Sequence, residues 1–542
     1  MILAWVRPVI IGALLLRISD TAHDWTHQEA YSQLGYISRI AERKEEFRRT
    51  TGVPNDSVTP SVWEVAEEGS VLALALSRDG RIGASGGAPS SLKIWDLPYG
   101  KNSRRCVGHT APIRSIAFSP DSKTLVSGAR DGTLRFWNTE SAAPVGRPFE
   151  CHARLLSVEY SHDGKSVFYT TPENLFQMQI HPPKLTRVFE GPFGPILSLR
   201  VSPDGLWIAG VCRDQTKVRL WDVRTGKVML QLTEFRHAPE VIAISPAGKT
   251  LATGGGELIE DVANTGELKL WNIATGRVLC SFERLHSPVV GLAFFPESGT
   301  LLGTNVNLHQ RNQGNYVSLY ESASGQERLR LLDGLPLVLS TVLSNDGRIC
   351  VIGCNDKKVR MIDLERRVTE LAPVRRALQS TDMDSLWVEL GSSNAKDAYV
   401  AIRTLEASAE LASTYLARRL RPVPRPDSQQ TNALIRDLDN NRSAGRQRAM
   451  LELEKFGEMA EPALRKARSD GSPETRARAD VLLGRLRGSL STEELRYLRS
   501  IEVLEMVGTM HSKRLLETLA RGAPESRITQ RANDALDYLR RK

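Results

Sequence analysis

Gly83-Ala-Ser-Gly-Gly87 has the Gly-x-Ser-x-Gly spacing that presents a serine nucleophile where a strand runs sharply into a helix. No helix is expected here, because the segment aligns with Ser127-Gly128, the second strand of the next copy of an internal repeat. Gly164-Lys-Ser166 and Gly248-Lys-Thr250 echo the end of a phosphate loop, but each lacks the glycine five residues earlier that the nest of N–H groups requires. Gly254-Gly-Gly256 leaves a strand with no helix behind it to supply a dipole. Cys350 and Cys354 have neither the histidine nor the second cysteine pair of a zinc site. There is no two-His metal helix and no Cys-His-Asp order. The reading is therefore a non-enzymatic chain with no catalytic, cofactor-binding or metal-ligating residues.

These motifs fail for a common reason: they fall on one repeating scaffold. A short turn recurs at Ser77-Arg-Asp-Gly80, Ser119-Pro-Asp-Ser122, Ser161-His-Asp-Gly164, Ser202-Pro-Asp-Gly205, Ser245-Pro-Ala-Gly248, Phe295-Pro-Glu-Ser298 and Ser344-Asn-Asp-Gly347. A period of roughly 40–45 residues with a strand-ending Trp-Asp is the pattern of β-propeller blades, and seven copies lie within the range of about 4–8 at which such rings close. The second copy is the most regular. Ile113-Arg-Ser-Ile-Ala-Phe118 alternates as a half-buried strand, Thr124–Ser127 and Thr133–Trp137 follow, and an outer strand is expected near Val145–Phe149. Trp-Asp or a near variant stands at Trp95-Asp96, Trp137-Asn138, Trp221-Asp222 and Trp271-Asn272. It decays to Tyr320-Glu321 and Ile362-Asp363, and is absent from the third copy, Phe176-Gln-Met-Gln-Ile180, which leaves six or eight blades open. Closing the ring removes an exposed edge. Val62–Ala66 is favoured over Arg367–Leu371 as the strand that closes it.

Gly108-His109 ahead of a blade and Trp137-Asn138 at its end resemble the WD40 family, over about 300 residues. The resemblance implies a buried hydrogen-bond network of His109, Ser127, Asp131 and Trp137, with a structural role. His152, His237 and His286, near the matching inter-blade positions, are read the same way. The expected fold class is multidomain β + α: a seven-bladed WD40-type β-propeller over residues 61–375, followed by an α-helical, HEAT-like repeat domain.

The chain changes character at both ends. Val9–Leu16 is an apolar run between Arg7 and Arg17, too short for the roughly 20 residues that span a bilayer. It fits a signal-peptide core, with Ala22 as the one candidate cleavage site. Residues 1–22 are therefore read as a signal or anchor, with an early start codon as the alternative. Export or envelope association is expected over a cytoplasmic address. Residues 23–60 read as a helix and linker. Beyond about residue 375, Ala, Leu, Arg and Glu take over at helical spacing. Residues 376–426 form a helical connector ending in Arg421-Pro-Val-Pro-Arg-Pro426. Within 427–542 a second repeat appears at an offset of 51, where Gly457, Met459, Leu464, Gly471 and Pro473 meet Gly508, Met510, Leu515, Gly522 and Pro524. Glycine after one helix and proline opening the next resembles HEAT-type repeats. The whole is similar to uncharacterised bacterial proteins with a WD40 propeller and a helical-repeat tail.

The net charge of +9 in 542 residues could suggest nucleic acid, but the tail's Arg and Lys interleave with Glu and Asp, as solvated helix faces do. Nucleic acid is not expected as a partner, and a membrane only through the N-terminal segment. The six scattered cysteines behave as small hydrophobes. Function is expected where the repeat is broken. The anchors stand 43 apart from Ser202 to Ser245, but 50 and 49 apart over the next two intervals. The extra residues are Glu257–Asn264 and Asn307–Gly314, both between second and third strands. Glu257, Glu260, Asp261, His309, Gln310 and Arg311 are the candidate partner-binding residues on one rim. The expected function is a protein–protein interaction scaffold using that rim and the helical tail. The alternative is a small-ligand sensor or enzyme using the central channel.

Overall fold

The computed structural model describes residues 62–541, apart from 98–99, 192–193, 213–215, 258–264, 283–284, 298, 307–313, 373–381 and 486–489. The expected segments 1–22 and 23–60 lie outside the described residues. Strands β1–β28, numbered in chain order, form seven four-stranded antiparallel sheets: residues 71–105 (β2–β5), 113–150 (β6–β9), 157–188 (β10–β13), 196–232 (β14–β17), 239–281 (β18–β21), 289–335 (β22–β25), and 338–363 (β26–β28) joined by residues 62–66 (β1). The first strand of each sheet, from β2 (Val71–Leu76) to β26 (Val338–Leu343), contacts the first strand of the next, and β26 returns to β2. This is a closed seven-bladed propeller.

The anchor turn explains its own sequence. Ser77, Ser119, Ser161, Ser202 and Ser344 each donate to the Asp two residues on at 2.6–2.7 Å. The same hydroxyl accepts the N–H five residues on, as Ser166 N–H does to Ser161 Oγ at 2.9 Å. The N–H groups that a phosphate would need at Gly164-Lys-Ser166 are used by the turn, with Lys165 N–H on Asp163 at 3.0 Å. Gly83-Ala-Ser-Gly-Gly87 is strand β3 (Ile82–Gly87). Gly83 is required because a Cβ there would lie 2.0 Å from the Trp95 ring, and Ser85 Oγ accepts the Trp95 indole N–H at 3.1 Å.

The closing strand is β1 (Val62–Ala66), in register with β28 (Lys358–Asp363) from Val62–Ile362 to Ala66–Lys358. Arg367–Leu371 is not a strand. Asp363 accepts the Arg366 N–H at 3.0 Å and caps helix α1 (Leu364–Leu371), whose Leu-Glu-Arg-Arg start favours helix. The outer strand of blade two is shorter than expected: β9 is Phe149–Glu150, with an isolated bridge from Trp137 to Pro144. Deleting residues 62–66 should lower the unfolding free energy by roughly 3 kcal/mol or more, the scale of burying Val62 and half of Trp63, and leave β28 as an open edge. Size exclusion should then show self-association. A monomer with an unchanged midpoint would contradict the closure.

Ten α-helices follow among the described residues from Asp382 on. They are α2 (Asp382–Leu390), α3 (Ala395–Glu406), α4 (Ala409–Arg419), α5 (Ser428–Asp437), α6 (Ser443–Phe456), α7 (Glu461–Asp470), α8 (Pro473–Arg485), α9 (Thr492–Val507), α10 (Met510–Leu519) and α11 (Arg527–Arg541). They build two cores. Leu386, Ile402 and Leu416 from α2–α4 pack with Ile501, Leu516 and Leu536 from α9–α11. Leu434, Leu453, Leu464 and Leu482 from α5–α8 form the other. The chain therefore leaves the first core after Leu420, builds the second, and returns. The 51-residue offset matches α6–α8 with α9–α11. Gly508 ends α9 in the left-handed region at φ 63°, and Gly457 ends α6 at φ 57°. Pro473 opens α8, whereas Pro524 lies outside α11. Among the described residues no helix is long and apolar enough to cross a membrane.

Candidate functional site

His109, Ser127, Asp131 and Trp137 meet at one point in blade two. His109 Nδ1 lies 2.7 Å from Asp131 Oδ2, and its Nε2 lies 2.7 Å from Ser127 Oγ, which also accepts the Trp137 indole N–H at 2.8 Å. Burial holds the imidazole below its ordinary range despite Asp131. Burial would raise Asp131, but the Thr110 N–H and His109 outweigh it and hold the carboxyl low. The contacts copy the order of a hydrolytic Ser-His-Asp triad. However, Ser127 is wholly buried beneath the indole, so its oxygen has no approach to an external carbonyl.

The other three histidines do not repeat this arrangement, contrary to the reading given them. His152 and His286 are exposed, because each stands one residue out of register with His109, judged by the strand pairing that follows. In blade five Phe235 takes the ring position, 5.1 Å from Trp271, and Trp271 donates to Thr253 at 2.9 Å. His237, two residues on, reaches Glu257 at 3.4 Å. Strand register puts Glu257 where blade two has Asp131. This candidate thus faces its own blade, with its side chain 60% exposed. The inserted segment concealed that equivalence in the sequence. Glu260, Asp261, His309, Gln310 and Arg311 lie outside the described residues. Their connections leave β19 (Thr250–Glu257) and β23 (Thr300–Asn305) at the end opposite the anchor turns.

The anchor-turn face of blades five and six is covered by the helical region. Arg328 on β25 (Glu327–Leu335) donates to both oxygens of Glu502 on α9, at 2.6 and 2.7 Å, and to Glu321 at 2.9 Å. Arg499 on α9 grips both oxygens of the same Glu321 at 2.8 Å and donates to the Leu390 and Ser392 carbonyls. None of the four exposes more than 5% of its side chain. Burial opposes ionisation of Glu321, but the two guanidiniums overcome it and hold the carboxyl at about 2. Gly299 admits the contact, since a Cβ there would lie 2.7 Å from Glu502 Cδ. Arg531 on α11 binds Glu505 and the Glu297 carbonyl, and Lys249 reaches Asp534 at 2.5 Å. Arg277 of blade five pairs with Glu461 of α7. From their interleaving in the sequence, the tail's Arg and Glu read as solvated. Arg499, Glu502 and Glu505 stand at i, i+3 and i+6 among Leu498, Ile501, Val503 and Leu504, a row of charges set in an otherwise apolar stretch of helix.

Along the ring axis runs a chamber of about 910 Å³. The first strands of the blades line it, with Leu72, Leu74, Ile116, Leu197 and Leu339 among the apolar walls. Arg200 Nη1 donates to Glu159 at 2.9 Å across blades three and four. Tyr538 of α11 belongs to the wall beside the turn prolines Pro203, Pro246 and Pro296, so the last helix crosses this mouth. The described residues include no group of three or more His, Cys, Asp or Glu that could hold a metal. Burial pushes the thiol of Cys354 up to about 12 and that of Cys350 higher still, so neither is a ready nucleophile.

The profile of the WD domain, G-beta repeat matches residues 100–138 and 183–222. Each match opens on the outer strand of one blade and ends on the third strand of the next, and the chain carries WD40 repeats in its propeller. Among curated proteins, WD repeat-containing protein SL1-17 of Schistosoma mansoni is 25% identical over 160 residues, covering 30% of this chain and 53% of that protein. U3 small nucleolar RNA-associated protein 21 of Saccharomyces cerevisiae is 25% identical over 215 residues, 39% of this chain and 22% of its own length. Protein groucho of Drosophila melanogaster is 30% identical over 293 residues, 51% of this chain and 37% of its own length. The chain thus spans about half or less of the length of these relatives.

Proposed function

We propose that this chain is a non-enzymatic scaffold that holds protein partners on two surfaces fixed relative to one another. The observation carrying this reading is the buried Arg328–Glu321–Arg499–Glu502 network, which joins the propeller to the helical region. A chain that only tethered two modules would need no such junction. The propeller's anchor-turn face over blades five and six is taken by the chain's own helices. A partner would use the opposite rim, where the connections after Glu257 and Asn305 are lengthened, and the outer helices, read as HEAT-like repeats. Either surface can offer the roughly 800 Å² per partner of a standard interface.

The test is crosslinking capture from native cells, with the full-length chain compared with a variant whose 258–264 and 307–313 connections are shortened. Equal unfolding midpoints for the two would establish that both are folded. Loss of a specifically captured protein on shortening is the expected result. Undiminished capture by the shortened variant removes the rim from the reading. Capture no greater than by an unrelated propeller overturns the scaffold.

A further inference from the structure

We propose that Arg421-Pro-Val-Pro-Arg-Pro426, between α4 and α5, is a recognition strand for a protein module whose groove is lined by aromatic rings and edged by carboxylates. The order of residues dictates the conformation. Proline fixes its own φ at about −65° and pushes the residue before it out of the helical region, and here Arg421, Val423 and Arg425 each precede a proline. Both ends carry the matching geometry, with Leu420 at φ −79° and ψ 137° and Asp427 at φ −62° and ψ 124°. These are polyproline II values. Burial follows the period of that helix, about three residues per turn. Leu420 is buried, Val423 and Pro426 are half-buried, and Arg421, Pro422, Pro424 and Arg425 between them are exposed.

One face of the strand is spent on the protein itself. Val423 packs against the first helical core, and its carbonyl accepts the Ala523 N–H at 2.9 Å. Gly522 permits that approach, since a Cβ there would lie 2.9 Å from the Val423 nitrogen. The two remaining faces are exposed, and each carries one proline and one arginine: Arg421 with Pro424, and Pro422 with Arg425. Grooves that read proline-rich strands take the rings between aromatic side chains, and a strand ordered in advance costs less entropy to bind. Charge selects the edge of the groove. Among the described residues the guanidiniums of Arg418 and Arg425 have no hydrogen-bond or ion-pair partner, and Arg421 donates to the carbonyls of Ala417, Arg418 and Leu420. The acidic neighbour, Asp427, caps α5 by accepting the Gln429 N–H at 2.9 Å. A plain spacer would use the prolines, but it has no need of three arginines that meet no carboxylate.

This surface is separate from the lengthened rim, so its test leaves the rim reading untouched. The experiment probes an array of WW and Src-homology-3 domains, which carry such grooves, with the labelled full-length protein. At least one domain is expected to bind, and Pro422→Ala with Pro424→Ala should weaken it at least tenfold. Should that variant lose its thermal unfolding transition, Arg425→Glu, which keeps every proline, must weaken the same domain at least tenfold. A synthetic peptide of residues 418–428 should bind that domain more weakly than the folded chain, because it has the strand still to order. No domain bound, binding that survives the substitutions, or a peptide that binds better than the folded chain would each overturn the assignment.

Discussion

Replacing Glu321 by alanine should cost roughly 3–5 kcal/mol, because removing one member of a buried ion network leaves its partners charged and unpaired. Glu321 is the member with the largest effect. It receives Arg328 from the propeller and Arg499 from α9, so its loss takes the carboxylate from Arg499 and leaves Arg328 with Glu502 alone. Undocking then becomes the cheaper route to hydrating them. Denaturant unfolding should change from one transition to two, with the helical region released first, and limited proteolysis should free it intact. Substituting all four charges by hydrophobic residues of similar volume (Glu321→Leu, Arg328→Met, Arg499→Met, Glu502→Leu) should recover most of the loss, since well-packed apolar replacements of buried networks are often neutral. If Glu321→Ala shifts stability by less than about 1 kcal/mol, the network does not hold the junction.

The second large effect is a pH dependence of docking. Glu297, Glu321, Glu502 and Glu505 face Arg328, Arg499 and Arg531, so the junction holds four carboxylates against three guanidiniums. Tyr399 and Tyr538 are the other titratable groups against it. Burial, with Glu502 nearby, pushes Glu297 up to about 7. Burial also raises Glu505, while Arg531 pulls it the other way. For Glu297 the docked form binds the extra proton between its ordinary value near 4.5 and about 7. Docking is therefore strongest at or below pH 5 and weakens as pH rises through that window. At 1.36 kcal/mol per unit the change is on the order of 3 kcal/mol. Proteolytic release of the helical region, followed from pH 5 to pH 8, should accelerate with pH in the native chain. Glu297→Gln should flatten that profile at the tight-docking end. An unchanged slope in the variant would assign the proton to another group.

The architecture of the ring was open to reading from sequence because each blade solves the same local problem with the same residues. Ser at the turn, Asp two on and Trp at the third strand's end are local requirements, and they repeat. Val62–Ala66 could be identified as the closing strand from its place before the first blade. Arg367–Leu371 was ambiguous, because Asp363 as a helix cap and as the Asp of a Trp-Asp pair look alike. The junction was not legible. Arg328 and Glu502 are 174 positions apart, and Coulomb pairing leaves no periodic trace. The structural equivalence of Glu257 was hidden for a related reason: an insertion directly after it conceals that it stands where blade two has Asp131.

The closing strand also sets a clock on the ribosome. Glu64 of β1 pairs with Lys358, 294 residues later. At roughly 5–20 residues per second, that separation is about 15–60 s of synthesis. Through that interval β1 has no partner to pair with, and the six earlier blades must stand as an open arc with β2 uncovered. The junction comes later again, since Arg499 follows Glu321 by 178 residues. A nascent chain of this fold therefore spends most of its synthesis with one or other of these surfaces unsealed. Its yield in a cell should depend on whatever shields them in that interval, well before the final stability of the folded protein matters.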